Sequence, residues 1–367
     1  MPKSSLSQFA RWVLVSVFAI TPMMATPDHD AFSGLEAYVQ ATMELLHPSS
    51  AAIVVSRGEQ VIYENYLTGS FEGLPETPID ASALFPLASA TKSFTAGVLM
   101  SLVQDGVVDL DAPISDHLPF MLESGNGPHS RNSVTLRHLA SHTSGLQYPN
   151  GERYSEPLSV EAITEPGGDF CYSETGMNLL QATLEAATGK SWPELLQSRI
   201  LNPLQLKSTR YLAALSADLP LVPAQAGKFE DPAQHYFFTQ ASSLTGSGLY
   251  STARDRNRYS QLWAQRGTVG EVRLFSAELA QEATRTQAIF DYNGAHYGLL
   301  WWVFPERGAI VMSGATHSVS AITPETQTAV TVMRNYYGEI PEGFVFHEDK
   351  MKLVDFALSL GALPKSH

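Results

Sequence analysis

Leu87-Ala88-Ser89-Ala90-Thr91-Lys92-Ser93-Phe94-Thr95 contains the only Ser-x-x-Lys of the 367-residue chain. Pro86 precedes it, and an apolar helical pattern runs from Ser89 to Gln104, where Asp105-Gly106 stops it. Ser89 therefore falls in the first turn of a helix, with Lys92 three residues on along the same face. A helix N-terminus supplies unpaired N–H groups and the positive end of a dipole. Beside a serine oxygen, both favour an alkoxide and the oxyanion of a tetrahedral intermediate. A lysine within reach takes the serine proton if desolvation lowers its pKa. Locally, the same residues read equally well as an N-cap serine and a lysine on a solvated face. With eight lysines in the chain, roughly one such tetrapeptide is expected by chance.

Outward from this helix the pattern changes in both directions. Upstream, Ala31 to Leu46 is helical, and the strand-like runs Ala51 to Ser56 and Val61 to Tyr66 flank a turn at Arg57-Gly58-Glu59. Downstream, roughly 107–251 is helical with many loops, including turn-rich Ser124 to Asn132 and Pro220 to Pro232. Helical spacing from Met177 to Thr188 ends at Gly189. Strands return at Tyr297 to Val303, Ala309 to Met312, Val319 to Thr323 and Thr326 to Met333, before a closing helix from about Asp349 to Leu360. Strands at both ends with helices between them predict an α+β fold. The terminal strands pair into one antiparallel β-sheet flanked by helices, and an all-helical lobe, 107–251, is inserted in it.

Composition narrows the function. A formal net charge of -14 argues against a nucleic-acid partner. Cys171 is the only cysteine, which excludes an intramolecular disulfide. Lys3 and Arg11, the apolar run Trp12 to Ile20 and Ala25 read as a secretory signal peptide over 1–25, with a retained single-pass signal anchor as the alternative; removal leaves 26–367 as one exported domain, periplasmic or secreted. No other segment has the length to span a bilayer. Thr188-Gly189-Lys190-Ser191 lacks the first glycine of a phosphate loop, and no serine stands in Gly-x-Ser-x-Gly. His138 and His142 have zinc-helix spacing, but Leu139 stands where the basic glutamate would be, so a structural or capping role fits better.

Five ordered segments resemble the serine β-lactamase and penicillin-binding-protein-like hydrolases, over roughly Ala51 to Asn335. They are the Ser89 helix with Leu102 to Leu110 and Leu118-Pro119; Val134 to Leu146, with its His-Thr-Ser-Gly-Leu; Phe170-Cys171-Tyr172-Ser173-Glu174 with Leu179, Glu185 and Thr188 to Lys190; Gly248 to Asp255; and Tyr297 to Trp302 with Gly314 to Pro324. The resemblance implies a β-lactamase/transpeptidase-like fold with its site in the groove between sheet and helical lobe. It implies that Ser89 is acylated, that Lys92 accepts the serine proton or holds the tyrosine ionised, and that Tyr172 is base or proton relay. The oxyanion hole would be the backbone N–H groups of Ser89 and Ala315. This chemistry requires no cofactor and no metal.

Two departures bear on substrate. Glu174 stands where β-lactamases of this type carry asparagine, and an ionised glutamate only accepts hydrogen bonds. Paired with Lys92, it would keep that lysine protonated and leave more of the proton transfer to Tyr172; the other readings are a neutral, buried carboxyl and one turned away. Met312-Ser313-Gly314 aligns with the Lys-Thr-Gly of penicillin-recognising enzymes, so a cation for a substrate carboxylate is missing. Glu174, Met312, Ser313 and Gly314 are thus the candidate substrate-binding residues. Expected is a carboxylesterase or amidase acting on a small-molecule ester, amide or peptide. The alternatives are a β-lactamase or D,D-peptidase, and a catalytically degenerate binding or scaffold relative.

Overall fold

The computed structural model of the chain describes residues 29–46, 50–69, 78–118, 133–146, 164–212, 219–222, 244–290, 294–336 and 340–364. The expected signal segment and the turn-rich Ser124 to Asn132 lie outside the described residues, as does most of Pro220 to Pro232.

β1 (Ser50–Arg57) is buried at nearly every position, and its apolar side chains divide by strand period between two cores. Ala52 and Val54 enter one core, while Ala51, Ile53 and Val55 enter the other. β2 (Gln60–Thr68) follows through a hairpin whose Gly58 has φ 59°, a left-handed geometry that suits glycine. The remaining strands of this sheet come from the last third of the chain. They are β3 (Ala288–Ile289), β4 (His296–Tyr297), β5 (Trp302–Phe304), β6 (Ala309–Ser313), β7 (Val319–Thr323) and β8 (Thr328–Arg334). The sheet order is β2-β1-β8-β7-β6-β5-β4-β3, with each adjacent pair antiparallel. N- and C-terminal parts of the chain meet where β1 pairs with β8, Ala51 opposite Arg334.

Helices cover both faces. α1 (His29–Leu46) and α5 (Phe346–Gly361) pack Leu35, Val39, Leu353 and Ala357 on one side. On the other lie α2 (Thr91–Gln104), α3 (Glu174–Thr188) and α4 (Ala253–Ala264). α2 is buried without interruption from Thr91 to Leu102, so it is a core helix rather than an amphipathic one.

Two features depart from the sequence reading. The expected strand Tyr297 to Val303 is broken: Gly298 N–H donates to Trp301 O at 2.9 Å, and Trp302 pairs back onto Tyr297. A Cβ on Gly298 would stand 2.5 Å from Ala283 O, and Leu300, at φ 65°, donates from its N–H to Ala140 O. Those tertiary contacts override a continuous apolar run. A small second sheet, Phe85–Pro86 with Leu249–Ser251 and Arg210–Tyr211, was also unforeseen. It ties the approach to Ser89 to a segment about 160 residues away in sequence.

Candidate active site

Ser89 lies in a 3₁₀ turn, Ala88–Ala90, that feeds directly into α2. The turn is entered through Ala88 at φ 46°, a strained geometry for a residue with a Cβ. Its position is held by Leu87 N–H donating to Leu249 O at 2.8 Å. The first internal hydrogen bond of the turn runs from Ala90 N–H to Leu87 O, which leaves the Ser89 N–H ahead of the helical ladder. Ser89 is half-buried, while Lys92, three residues into the protein, is buried.

Lys92 Nζ donates to Glu174 Oε1 at 2.6 Å and to Gly246 O at 3.0 Å, and lies 4.7 Å from the centre of the Tyr172 ring. Glu174 opens α3, whose N-cap Ser173 accepts from Gly176 N–H, so its carboxylate occupies the favourable end of the helix dipole. Burial pushes the Lys92 ammonium down, but Tyr172 and Glu174 beside it outweigh that and leave its pKa above the ordinary lysine value. The lowering by desolvation that a lysine base requires is therefore not met here. The paired, protonated state is.

Tyr172 is also packed by His142, ring centres 4.3 Å apart. Ser173 N–H donates to His142 Nδ1 at 3.2 Å, which puts the proton of the neutral imidazole on Nε2. Burial, and then the Lys92 charge, hold His142 well below the ordinary histidine pKa. His142 follows the short helix Leu136–Ala140 at φ 56°, while His138 closes that helix's capping box with Thr135. The two histidines thus do not share a helix face.

β6 supplies the third side. Beyond Val311, which faces Trp302, β6 pairs with β7 alone among the described strands. Met312 does not project as a charged partner would: it is buried, and Ser93 Oγ lies 3.1 Å from its sulfur. Ser313 is buried at the strand end. Gly314 packs on the Ser89 turn so closely that a Cβ there would meet Leu87 O at 2.2 Å and Ala90 N at 3.2 Å. Ala315 follows, exposed, and its N–H has no hydrogen-bond partner among the described residues. Lys92, Tyr172 and Glu174 thus form one linked cluster, with Lys92 one helical turn after Ser89 in the chain, and the Gly314–Ala315 turn abuts the backbone that carries Ser89. Met312 sits behind it. Sequence reasoning missed the Gly246 carbonyl, which has no local signal, and the contact of His142 with Tyr172, although its motif was visible. Among the described residues no group of three or more His, Cys, Asp or Glu side chains is arranged to hold a metal ion, and no helix is long and apolar enough to cross a membrane.

A family model described as Beta-lactamase matches residues 35–345. The chain is 26% identical over 265 residues to the D-alanyl-D-alanine-carboxypeptidase/endopeptidase AmpH of Escherichia coli K12, covering 68% of this chain and 65% of that protein. Among solved structures it resembles EstCE1, a hydrolase with promiscuous acyltransferase activity, with TM-score 0.71 and 18% identity, over 91% of this chain and 100% of the other. It also resembles a class C beta-lactamase, with TM-score 0.69 and 18% identity, over 92% of this chain and 98% of the other. At these identities the structural likeness is one of fold.

Proposed function

The chain belongs to the Beta-lactamase family of serine hydrolases, and from that membership we propose that it cleaves an uncharged ester or amide of a small to medium acyl group through an acyl-enzyme on Ser89. The observation that carries this reading is the 2.6 Å pairing of Lys92 with Glu174. The Lys92 ammonium, on the first turn after Ser89, is already matched by a carboxylate, and Met312 stands where penicillin-recognising relatives place another cation. A substrate carboxylate beside the scissile bond would find no partner in these residues and would meet Glu174.

In this mechanism Tyr172 starts as the phenolate, with the Lys92 ammonium beside its ring, and Ser89 Oγ attacks the carbonyl carbon while its proton passes to the Tyr172 oxygen. The oxyanion is received by the N–H groups of Ser89 and Ala315. Collapse breaks the bond to the leaving oxygen or nitrogen, which takes the proton from Tyr172, and acyl-Ser89 remains. Water then repeats the sequence and releases the acid. Lys92 serves as a fixed positive charge, since Glu174 keeps it protonated. Ser313 and Gly314 would line the acyl group, and Met312 would back it. We also place the protein outside the cytoplasm, after removal of the segment 1–25.

The likeness to AmpH supports a second reading, a D,D-peptidase or β-lactamase. One experiment separates the possibilities: intact mass after a fluorophosphonate probe, with Ser89→Ala as control, beside assays with p-nitrophenyl butyrate, nitrocefin and a D-Ala-D-Ala peptide. A single Ser89-dependent adduct with ester turnover is expected. Turnover confined to nitrocefin or the peptide moves the protein to the second reading. Folded protein with no adduct and no turnover would instead be a binding or scaffold relative.

A further inference from the structure

The two N–H groups assigned above to the oxyanion stand on different parts of the fold, one on the turn into α2 and one on the turn after β6. Their separation has to be set by whatever joins those turns. The first join is the close packing of Gly314 on Leu87 and Ala90, which sets a minimum approach. The second is directional: the Thr316 hydroxyl, fully buried, donates to Pro86 O at 3.0 Å, three residues before Ser89.

Behind Thr316 the turn is held to the last strand. Tyr336 N–H donates to Thr316 O at 3.2 Å, and His317 N–H closes the turn on Gly314 O at 2.9 Å. Arg334 Nη1 donates to His317 O at 3.3 Å and to Asp349 at 2.8 Å. The backbone around Thr316 is thus anchored on the sheet side, and its side chain is the polar link from this turn to the Ser89 segment; the Arg256 guanidinium bridges Ala90 O and Met312 O, the latter in the strand before the turn, at 3.3 and 3.4 Å.

We infer that Thr316 is a positioning residue, its hydroxyl fixing the Ala315 N–H relative to the Ser89 N–H so that both meet one oxyanion. The inference rests on the acyl-enzyme reading. Valine keeps the branched shape of Thr316 and removes only the donor, leaving Pro86 O without that partner. Loss of a whole oxyanion donor costs roughly 10²- to 10³-fold in turnover, so a displaced one is expected to cost about 10- to 100-fold.

The test compares wild type, Thr316→Val and Thr316→Ser by p-nitrophenyl butyrate kinetics and by inhibition with a phenylboronic acid, whose serine adduct is tetrahedral. Expected is a fall in kcat with KM within about twofold for Thr316→Val, an equal proportional loss of boronate affinity, and recovery in Thr316→Ser. Should Thr316→Val not fold, Thr316→Ala and the serine variant carry the same comparison. Unchanged kcat and boronate affinity in folded Thr316→Val or Thr316→Ala overturn the inference while the acyl-enzyme stands, and so does a loss that serine does not restore. A wild type that forms no Ser89 adduct removes the acyl-enzyme reading and this inference with it.

Discussion

Among the described residues, two cation–carboxylate pairs have a buried cation, on opposite faces of the same sheet, and they differ in how they are closed. Lys92–Glu174 is a single contact of 2.6 Å whose carboxylate side chain keeps 18% exposure. Its lysine also reaches a backbone carbonyl and an aromatic face. Arg334–Asp349 is bidentate, at 2.8 and 3.1 Å, and sealed at 0% and 1% exposure, with Tyr38 Oη donating to Asp349 Oδ1. A planar guanidinium matched on two oxygens locks one geometry, while a lysine on a flexible stem leaves its charge available to neighbours. The first pair sets a charge beside Ser89, and the second sets the place of β8 against α5. On the proposed function, the same chemistry serves catalysis or architecture according to solvent access and the number of bonds that close it.

The largest expected effect separates the two by readout. Lys92→Ala should lower turnover at least about a thousandfold, roughly 4 kcal/mol of barrier, and shift the melting midpoint far less than the sealed pair does. Equal loss of activity and stability would erase the distinction. Next, Asp349→Ala leaves the Arg334 guanidinium buried without its partner and should cost about 3–5 kcal/mol in urea denaturation. The paired change Arg334→Met with Asp349→Leu should recover most of that; a double variant as unstable as the single one would show that Asp349 acts otherwise.

Acid should find the architectural side as well. His317, boxed by Phe344, Phe346 and Tyr336, is held at about 4 by burial first and by the Arg334 charge second. Because this lies below the ordinary 6.5, the unfolded chain takes up the proton first as pH falls. The stabilisation is complete above pH 6.5 and is lost progressively down to about 4, amounting to ~3 kcal/mol. His142 contributes in the same direction. His317→Asn, compatible with φ 60° at that position, should flatten the dependence of melting on pH in this window; an unchanged slope would assign the acid sensitivity elsewhere.

The smallest effect is the most diagnostic for the site pair. Glu174→Gln removes one of the two neighbours that hold Lys92 up against its burial. The alkaline limb of kcat/KM should then move to lower pH, with turnover near neutrality reduced by about tenfold, or ~1.4 kcal/mol. An alkaline limb that stays in place would mean that the charge on Lys92 does not depend on Glu174.

By itself the sequence determined the elements and the order of the chemical groups. Ser89 at a helix entrance, the cap at Ser173, the stop at Gly189 and the period-two strands of β1 and β6 to β8 are local patterns, and neighbours in the chain decide them. The Glu174–Lys92 pairing was also legible as one of several options, because a motif departure marked it. Only the tertiary structure decided which option holds, since Lys92 and Glu174 are 82 residues apart and the balance of burial against charge depends on what surrounds both. It likewise broke the Tyr297 to Val303 run, seated Met312 behind Ser93 and linked Thr316 to Pro86 across 230 residues. A sequence pattern specifies which face of an element is apolar. It does not specify which distant backbone carbonyl or ring will meet a given polar atom, and at this site those meetings set the chemistry.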